Sequence, residues 1–155
     1  MLKNCYLLAL LSFALLVSTP LFFSPVDCKN PSAGQVQHIV AFRYATDVTS
    51  EQKGKIMDTY FSLKDRCVNQ TTNQPYILSF NGGYPNSPEG FDQHMEQIYI
   101  VTFKNVEDRN YFVGRPFHYP YDPLHDAFKN MVGKYLLQPI AEGLIVMDFS
   151  VLNKP

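Results

Sequence analysis

An α+β domain with the element order β-α-β-β-α-β is predicted from three features of this 155-residue sequence. Four short segments alternate their apolar residues with a period of two, which is typical of strands. Two longer segments carry apolar residues at helical spacing, one after the first strand and one before the last. The composition is 46% hydrophobic and 17% charged, which excludes bulk disorder and suits one compact domain.

The first strand and the first helix are the best defined of these elements. Residues 35–44 are apolar on both faces, and His38 alternates with Val40 on one of them, so we expect cover on both sides of the strand. Thr49 and Gln52 form a capping box, which predicts a helix from there to about residue 66. The apolar stripe of this helix consists of Ile56, Tyr60, Leu63 and Cys67.

Two strands and a short helix follow in the middle of the chain. The strands are predicted at residues 75–84 and 96–104, and the second places Gln97 and Tyr99 on one face. Asn105 then caps the short helix, with acidic residues in its first turn as the helix dipole prefers.

The last helix and strand complete the fold. Residues 124–137 predict a helix and residues 143–151 a strand, so that one domain spans residues 35–151. The order of elements is the split βαβ arrangement of ferredoxin-like folds, a four-stranded antiparallel sheet with both helices on one face. The opposite face, which carries Ile39, Ile98 and Ile100, would be a large apolar patch if left in water. We therefore expect two copies to pack sheet to sheet as a homodimer.

The first 28 residues predict a secretory signal peptide. Lys3 gives a positive start, residues 6–17 form an apolar run, and Pro20 follows soon after that run. An uncleaved membrane anchor is the alternative, but the apolar run is short for a membrane span. We therefore expect a secreted, extracellular protein that has no membrane attachment once the signal is removed.

The cleavage site decides the cysteine chemistry. A cut after Cys28 leaves Cys67 alone, whereas a cut after Ser18 leaves two cysteines that could pair in an oxidising compartment. Cys67 itself is interpreted as a small buried apolar residue. In such a compartment the Asn69-Gln70-Thr71 triplet is a glycosylation acceptor, and we predict a glycan on Asn69.

Charge and composition argue against several classes of function. A formal net charge of −1 offers no basic field for a nucleic acid, so no nucleic-acid partner is expected. The three cysteines are too far apart for a CxxC zinc site, and no histidine pair has metal-ligand spacing. We therefore predict neither a metal site nor a cofactor.

An ordered set of short segments resembles one known family. The segments are VQHIVAF (36–42), VTSEQ (48–52), SPEGF (87–91), IVTFK (100–104) and RPFH (115–118). In this order and spacing they resemble the stress-responsive dimeric α/β-barrel (Dabb) family, over about residues 35–150. The resemblance implies ferredoxin-like protomers whose sheets pair into a barrel across a dimer.

The resemblance also implies a pocket between sheet and helices. A plant polyketide cyclase of this family closes a ring there with a histidine from an H-P-x-H motif, a histidine on the third strand and a tyrosine. The motif's last histidine matches His118, although Arg115 replaces its first. Gln97 occupies the position of the third-strand histidine, and Phe112 occupies the position of the tyrosine. His38 matches a first-strand histidine of the family.

Two functions of different class follow from these residues. The first is a secreted dimer, for which the resemblance implies a role in stress, that binds a small apolar or aromatic ligand without turnover. The second is a cyclase-like or lyase-like enzyme in which His118 acts as a general base and His38 assists it. Considered without the resemblance, His38 also fits a hydrogen-bonded core histidine, and His118 also fits a loop-packing residue. The predicted ligand-binding residues are His38, Gln97, Tyr99, Phe112, Phe117 and His118.

Overall fold

The computed structural model describes residues 34–117 and 120–152 of the chain. The predicted signal peptide, Cys28 and His118 therefore lie outside the described residues. The strands of the described ranges are β1 (Val36–Phe42), β2 (Val68–Asn69), β3 (Gln74–Pro75), β4 (Ile77–Gly83), β5 (Gln97–Phe103) and β6 (Leu144–Ser150). The helices are α1 (Ser50–Arg66), α2 (Val106–Val113), α3 (Pro123–Val132) and α4 (Ile140–Gly143).

The main sheet has four antiparallel strands in the order β4-β5-β1-β6. This is the predicted ferredoxin-like α+β fold, and the prediction is confirmed. β1 lies in the centre, where His38 is paired with Val101 of β5 on one side and with Asp148 of β6 on the other. Paired residues point to the same face of a sheet, so His38 and Asp148 both face the helices.

The helices begin where the sequence predicts. Thr49 forms the capping box, because its side chain accepts from the Gln52 amide and the Gln52 side chain accepts from the Thr49 amide. Asn105 caps α2 by accepting from the amide of Asp108 at 2.8 Å. α1 and α3 then bury their apolar stripes against the sheet, and the largest fully buried side chains of this core include Tyr60, Tyr99, Phe103, Phe112 and Leu63.

The last main helix ends earlier than predicted, at Val132 instead of residue 137. The chain after Gly133 turns back and pairs with the segment that follows β1. The amide of Ala45 donates to the Tyr135 carbonyl at 2.9 Å, and the amide of Leu137 donates to the Arg43 carbonyl at 2.9 Å. These backbone groups are engaged across the chain and cannot continue the helix.

A small hairpin between α1 and β4 is a second difference from the prediction. Val68 pairs with Pro75 and Asn69 with Gln74 in the two-stranded sheet of β2 and β3. The predicted strand over 75–84 is thereby divided, and its main part begins at Ile77. Cys67 lies just before the hairpin and is 1% exposed, as expected of a small buried residue.

The face of the sheet away from the helices has no cover within the described chain. Met147 is 55% exposed and Phe149 46% exposed on this face, where β6 is the edge strand. Ile39, Ile98 and Ile100 lie on the same face and are partly exposed. Separately, none of the helices in the described part of the chain is both long and apolar enough to span a membrane.

Candidate functional site

A cavity of about 310 Å3 lies between the sheet and α3, near the edge strand β6. Its floor consists of side chains from β1 and β6, namely His38, Val40, Phe42, Leu144 and Val146. Its roof includes His125, Phe128 and Val132 of α3 together with Leu136 and Ile140. Val146 is 49% exposed and Ile140 is 44% exposed, so they mark the side of the cavity that opens to solvent.

His38 lines this cavity, and a hydrogen bond at its Nδ1 fixes the orientation of its ring. Its Nδ1 lies 2.9 Å from Oδ1 of Asp148, and Oδ2 of Asp148 lies 3.0 Å from a guanidinium nitrogen of Arg109 on α2. A carboxylate only accepts hydrogen bonds, so Nδ1 of His38 carries the hydrogen. In the neutral ring Nε2 is then the basic nitrogen, which can accept a proton or a hydrogen bond from a ligand.

Asp148 remains ionised because its partners outweigh its burial. Burial alone would raise the pKa of this carboxyl group. The hydrogen bond and charge of His38, together with those of Arg109, bring the pKa below its ordinary value of 3.8. The site therefore contains a negative charge beside Nδ1 of the imidazole ring, which fixes the tautomer and the orientation of His38.

His125 is a second imidazole in the same cavity and is not among the site residues predicted from the sequence. Its ring stacks on Phe112 at a centroid distance of 3.7 Å, and its Nδ1 donates to the Phe112 carbonyl at 2.6 Å. Burial lowers the pKa of His125 to about 3; the carbonyl bond acts in the opposite direction, and Lys129 and His38 lower the pKa further. His125 is therefore neutral at physiological pH.

The two cations of the cavity lining are already paired. Nζ of Lys129 donates to the Val113 carbonyl at 2.6 Å and lies 3.5 Å from Asp126. The guanidinium of Arg115 lies 3.8 Å from the same carboxylate. Since one carboxylate faces both cations, the rim offers little free positive charge to an anionic ligand.

Gln97 and Tyr99, two of the predicted ligand-binding residues, do not line this cavity. Both are fully buried on β5, each with an exposed fraction of 0%. Oε1 of Gln97 accepts from the hydroxyl groups of Tyr44 and Tyr99 at 2.5 and 2.7 Å, and its amide nitrogen donates to the Lys53 carbonyl at 3.2 Å. The polar atoms of Gln97 are thus used within the core.

Phe112 and Phe117 lie beside the site and not in its lining. Phe112 is 1% exposed and is packed between the two imidazoles. Its ring and that of His38 meet edge to face, with their centroids 6.1 Å apart. Phe117 is 38% exposed, with the guanidinium of Arg109 5.8 Å from its ring centroid. His118 lies outside the described residues, so of the six predicted ligand-binding residues His38 is the one that the structure brings to the cavity.

A larger depression, of about 410 Å3, lies elsewhere on the protein. Arg43, Lys53, His94 and Glu96 contribute to its lining, and Lys53 is paired with Glu96. This depression is more open to solvent than the cavity beneath α3, so we assign the candidate site to the cavity beneath α3. Within the described ranges, no three His, Cys, Asp or Glu side chains are grouped so that they could hold a metal ion.

The fold and the cavity together define a class of protein, a ferredoxin-like α+β domain with a largely apolar chamber between sheet and helices. The model of the Stress responsive A/B Barrel Domain (Dabb) family matches residues 36–151. The chain belongs to this family, which confirms the resemblance seen in the sequence. No curated protein matches the chain by sequence.

Solved structures share the fold at low sequence identity. A hydroxynitrile lyase from Passiflora edulis has a TM-score of 0.58 and 21% identity, over 77% of this chain and 94% of its own. A protein from Arabidopsis thaliana has a TM-score of 0.61 and 18% identity, over 77% and 98%. A dimeric ferredoxin-like protein of unknown function from Jannaschia sp. has a TM-score of 0.59 and 16% identity, over 76% and 100%.

Proposed function

We propose that this chain forms a secreted homodimer that binds a small apolar or aromatic ligand in the cavity beneath α3. The cavity itself is the observation that carries the proposal, because about 310 Å3 of space lies among mostly apolar side chains. A dry cavity of about 150 Å3 accepts benzene, so roughly twice that volume suits one ring with a short substituent. His38 supplies a polar anchor at one side of such a ligand.

Propylbenzene tests this proposal, since it combines one ring with a short chain. Binding to the native state alone raises stability by mass action, and roughly 100 times the Kd adds about 2.7 kcal/mol. We expect the melting temperature to rise by several degrees at saturating ligand. A melting temperature that is unchanged across the soluble range of propylbenzene would reject the apolar site.

A matched pair of variants locates the binding. Val146→Phe places a larger side chain at the mouth of the cavity on the edge strand, where Val146 is 49% exposed. Val106→Phe makes the same substitution at a 45% exposed position at the start of α2, outside the lining. The first variant should lose the ligand-induced shift, and the second should retain it.

Homodimer formation is supported by the fold and by the relatives. The structures from Jannaschia sp. and Thermobifida fusca are each described as dimeric ferredoxin-like proteins. In this chain Met147 and Phe149 lie on the sheet face opposite the helices, and about half of the surface of each residue is exposed. A second copy placed on this face would remove that apolar surface from water.

Secretion is proposed from the first 28 residues, and glycosylation from the Asn69-Gln70-Thr71 triplet. Asn69 is half-buried and its Oδ1 accepts from the amides of Thr71 and Thr72, while Gln70 and Thr71 are exposed in the turn of the β2–β3 hairpin. In a secreting host we expect a mature amino terminus near Lys29 and a glycosidase-sensitive mass that Asn69→Gln removes. An intact amino terminus in the membrane fraction would contradict secretion.

A cyclase-like or lyase-like activity is the second candidate function, and the His38–Asp148 pair favours it. With Nδ1 bonded to a carboxylate at 2.9 Å, His38 is oriented as a general base that could remove a proton alpha to a carbonyl group. His118 would be its partner. The Passiflora edulis protein of similar fold is named as a hydroxynitrile lyase.

Exchange of the methyl protons of acetophenone in D2O tests this second function directly. An enzyme of this kind should accelerate the exchange, and His38→Phe should reduce the rate by roughly 10²–10⁴. If the protein binds apolar ligands but leaves the exchange rate at that of buffer, it acts as a binding protein toward this class of carbonyl compound.

A further inference from the structure

His125 is a polar group of the cavity that the proposed function leaves unused. It lies on α3, is 4% exposed, and lines the same cavity as His38. Its ring stacks on the Phe112 ring at a centroid distance of 3.7 Å. The Tyr60 ring is nearly parallel to it, at a centroid distance of 6.1 Å. Its Nδ1 is bonded to the Phe112 carbonyl, so the nitrogen that could meet a ligand is Nε2.

The hydrogen-bond pattern fixes which nitrogen of His125 is free. Nδ1 lies 2.6 Å from the Phe112 carbonyl oxygen, which can only accept, so Nδ1 carries the ring hydrogen. Nε2 of the neutral ring is then a lone-pair acceptor. Among the residues that the structure describes, the hydrogen bond found for this ring is the one at Nδ1, which leaves Nε2 for a ligand.

The surroundings of the ring favour a neutral donor over an anion. His38 is likewise held so that its Nδ1 faces a carboxylate and its Nε2 remains for a ligand. The nearby cations, Lys129 and Arg115, share Asp126 and therefore offer little charge to a carboxylate ligand. The cavity thus combines apolar walls with imidazole nitrogens that accept hydrogen bonds.

We propose that His125 anchors the ligand by accepting a hydrogen bond at Nε2, so that the cavity selects small aromatic molecules that carry a hydroxyl group. This inference rests on the proposed function, since it requires the cavity to hold a ligand. It adds the chemical class, a phenol or aryl alcohol, and assigns a specificity-determining role to α3.

Three ligands of nearly equal shape test the inference in the wild-type chain. Propylbenzene has no polar group, 3-propylanisole has an oxygen but no donor, and 3-propylphenol has a hydroxyl donor. The phenol should bind roughly tenfold more tightly than the other two, as expected for one hydrogen bond to an otherwise unpaired acceptor. Equal affinities for all three would overturn the inference and leave the apolar site standing, whereas absence of binding by all three would reject the proposed function.

Variants separate His125 from His38. His125→Phe keeps a ring to stack on Phe112 and removes the acceptor, so the preference for the phenol should fall to about twofold or less. His125→Gln can still donate to the Phe112 carbonyl and keeps an acceptor, so it should retain most of the preference. A preference that persists in His125→Phe and disappears in His38→Phe would assign the anchor to His38 and overturn the role of His125.

A measurement on the unmodified protein covers the case in which a variant does not fold. The 15N resonance of an unprotonated imidazole nitrogen moves upfield when the nitrogen accepts a hydrogen bond. Titration with 3-propylphenol should move the Nε2 resonance of His125 upfield, while 3-propylanisole should leave it nearly unchanged. An Nε2 resonance that does not move when the phenol binds would contradict the proposal.

Discussion

Asp148 on the edge strand and His38 on the central strand are joined across β6 and β1 by a 2.9 Å contact between Oδ1 and Nδ1. The two residues are 110 positions apart in the sequence. Arg109 of α2 holds the other carboxylate oxygen at 3.0 Å, so the contact also connects the sheet to the helical layer. Charge on Asp148 therefore affects both the orientation of the candidate base and the docking of α2.

Asp148→Asn should destabilise the protein at neutral pH by about 1 kcal/mol. Charge-assisted hydrogen bonds contribute roughly 1.5–3 kcal/mol when shielded, and the partial exposure of this carboxylate reduces that contribution. The free energy of unfolding in urea measures the effect. Asp126→Asn is a useful comparison, because Asp126 lies 3.5 Å or more from its cations and should contribute less.

The pH dependence of this difference provides a further check. The folded-state pKa of Asp148 lies below its ordinary value of 3.8, so the stabilisation is complete above about pH 4 and is lost as the pH falls through the folded-state pKa. The gap between the wild type and Asp148→Asn should therefore be constant near neutrality and should close in acid. A gap that widens in acid would show that another group is responsible.

His125 should make the fold sensitive to mild acid. Its pKa is about 3 in the folded chain and near 6.5 when unfolded, so the unfolded chain takes up a proton first as the pH falls. Stability is then complete above about pH 6.5 and is lost between pH 6.5 and 3, at up to about 1.4 kcal/mol per pH unit. Urea unfolding at a series of pH values measures this slope.

His125→Gln should flatten the slope between pH 6.5 and 4.5, because it removes the titrating ring. His94→Asn is the matched control, since His94 is an exposed histidine with a φ of 57°, a conformation that asparagine tolerates. The control should keep the wild-type slope. The same slope in wild type and His125→Gln would mean that the acid sensitivity arises from other groups.

Local sequence patterns predicted the elements of this fold because each pattern has a local cause. Alternation marks β1 and β5, and the capping box at Thr49 fixes the start of α1. The end of α3 depended instead on pairing between residues 135–137 and the segment after β1, which no local pattern reveals. The β2–β3 hairpin likewise depended on pairing across a turn.

The site was less accessible to sequence reasoning because its contacts are long-range. His38 could be selected from its position on an apolar strand face. Asp148 becomes its partner only when the register of β1 with β6 is known. His125 occupies the inward face of α3 with Phe128 and Val132, a spacing of three and seven residues that could have drawn attention to it.

Gly82 and Gly83 should respond very differently to alanine. A Cβ on Gly82 would lie 2.6 Å from a ring carbon of Tyr99 and 2.7 Å from the Ile98 carbonyl oxygen, whereas a Cβ on Gly83 would meet nothing within 4 Å. Relieving such overlap in a packed sheet costs roughly 1–3 kcal/mol. We expect that loss of unfolding free energy for Gly82→Ala and a change within about 0.5 kcal/mol for Gly83→Ala. Similar losses in both variants would contradict the close approach of Tyr99 to β4.

The open face of the sheet provides the last prediction, which concerns the proposed homodimer. Ile100 lies on this face of β5, beside β1 and its Ile39. Ile100→Asp would place a charge in the apolar contact between two copies, and an unpaired buried charge is strongly disfavoured. The wild type should therefore elute as a dimer in size-exclusion chromatography with light scattering, and the variant as a monomer.

Val106→Asp is the control for this experiment. It also introduces an aspartate at an apolar position, but at the first residue of α2, on the helical side of the sheet and where the helix dipole favours an acid. This variant should remain dimeric. A dimer of unchanged stability in Ile100→Asp would show that copies associate through another surface, and a monomeric wild type at micromolar concentration would reject the homodimer itself.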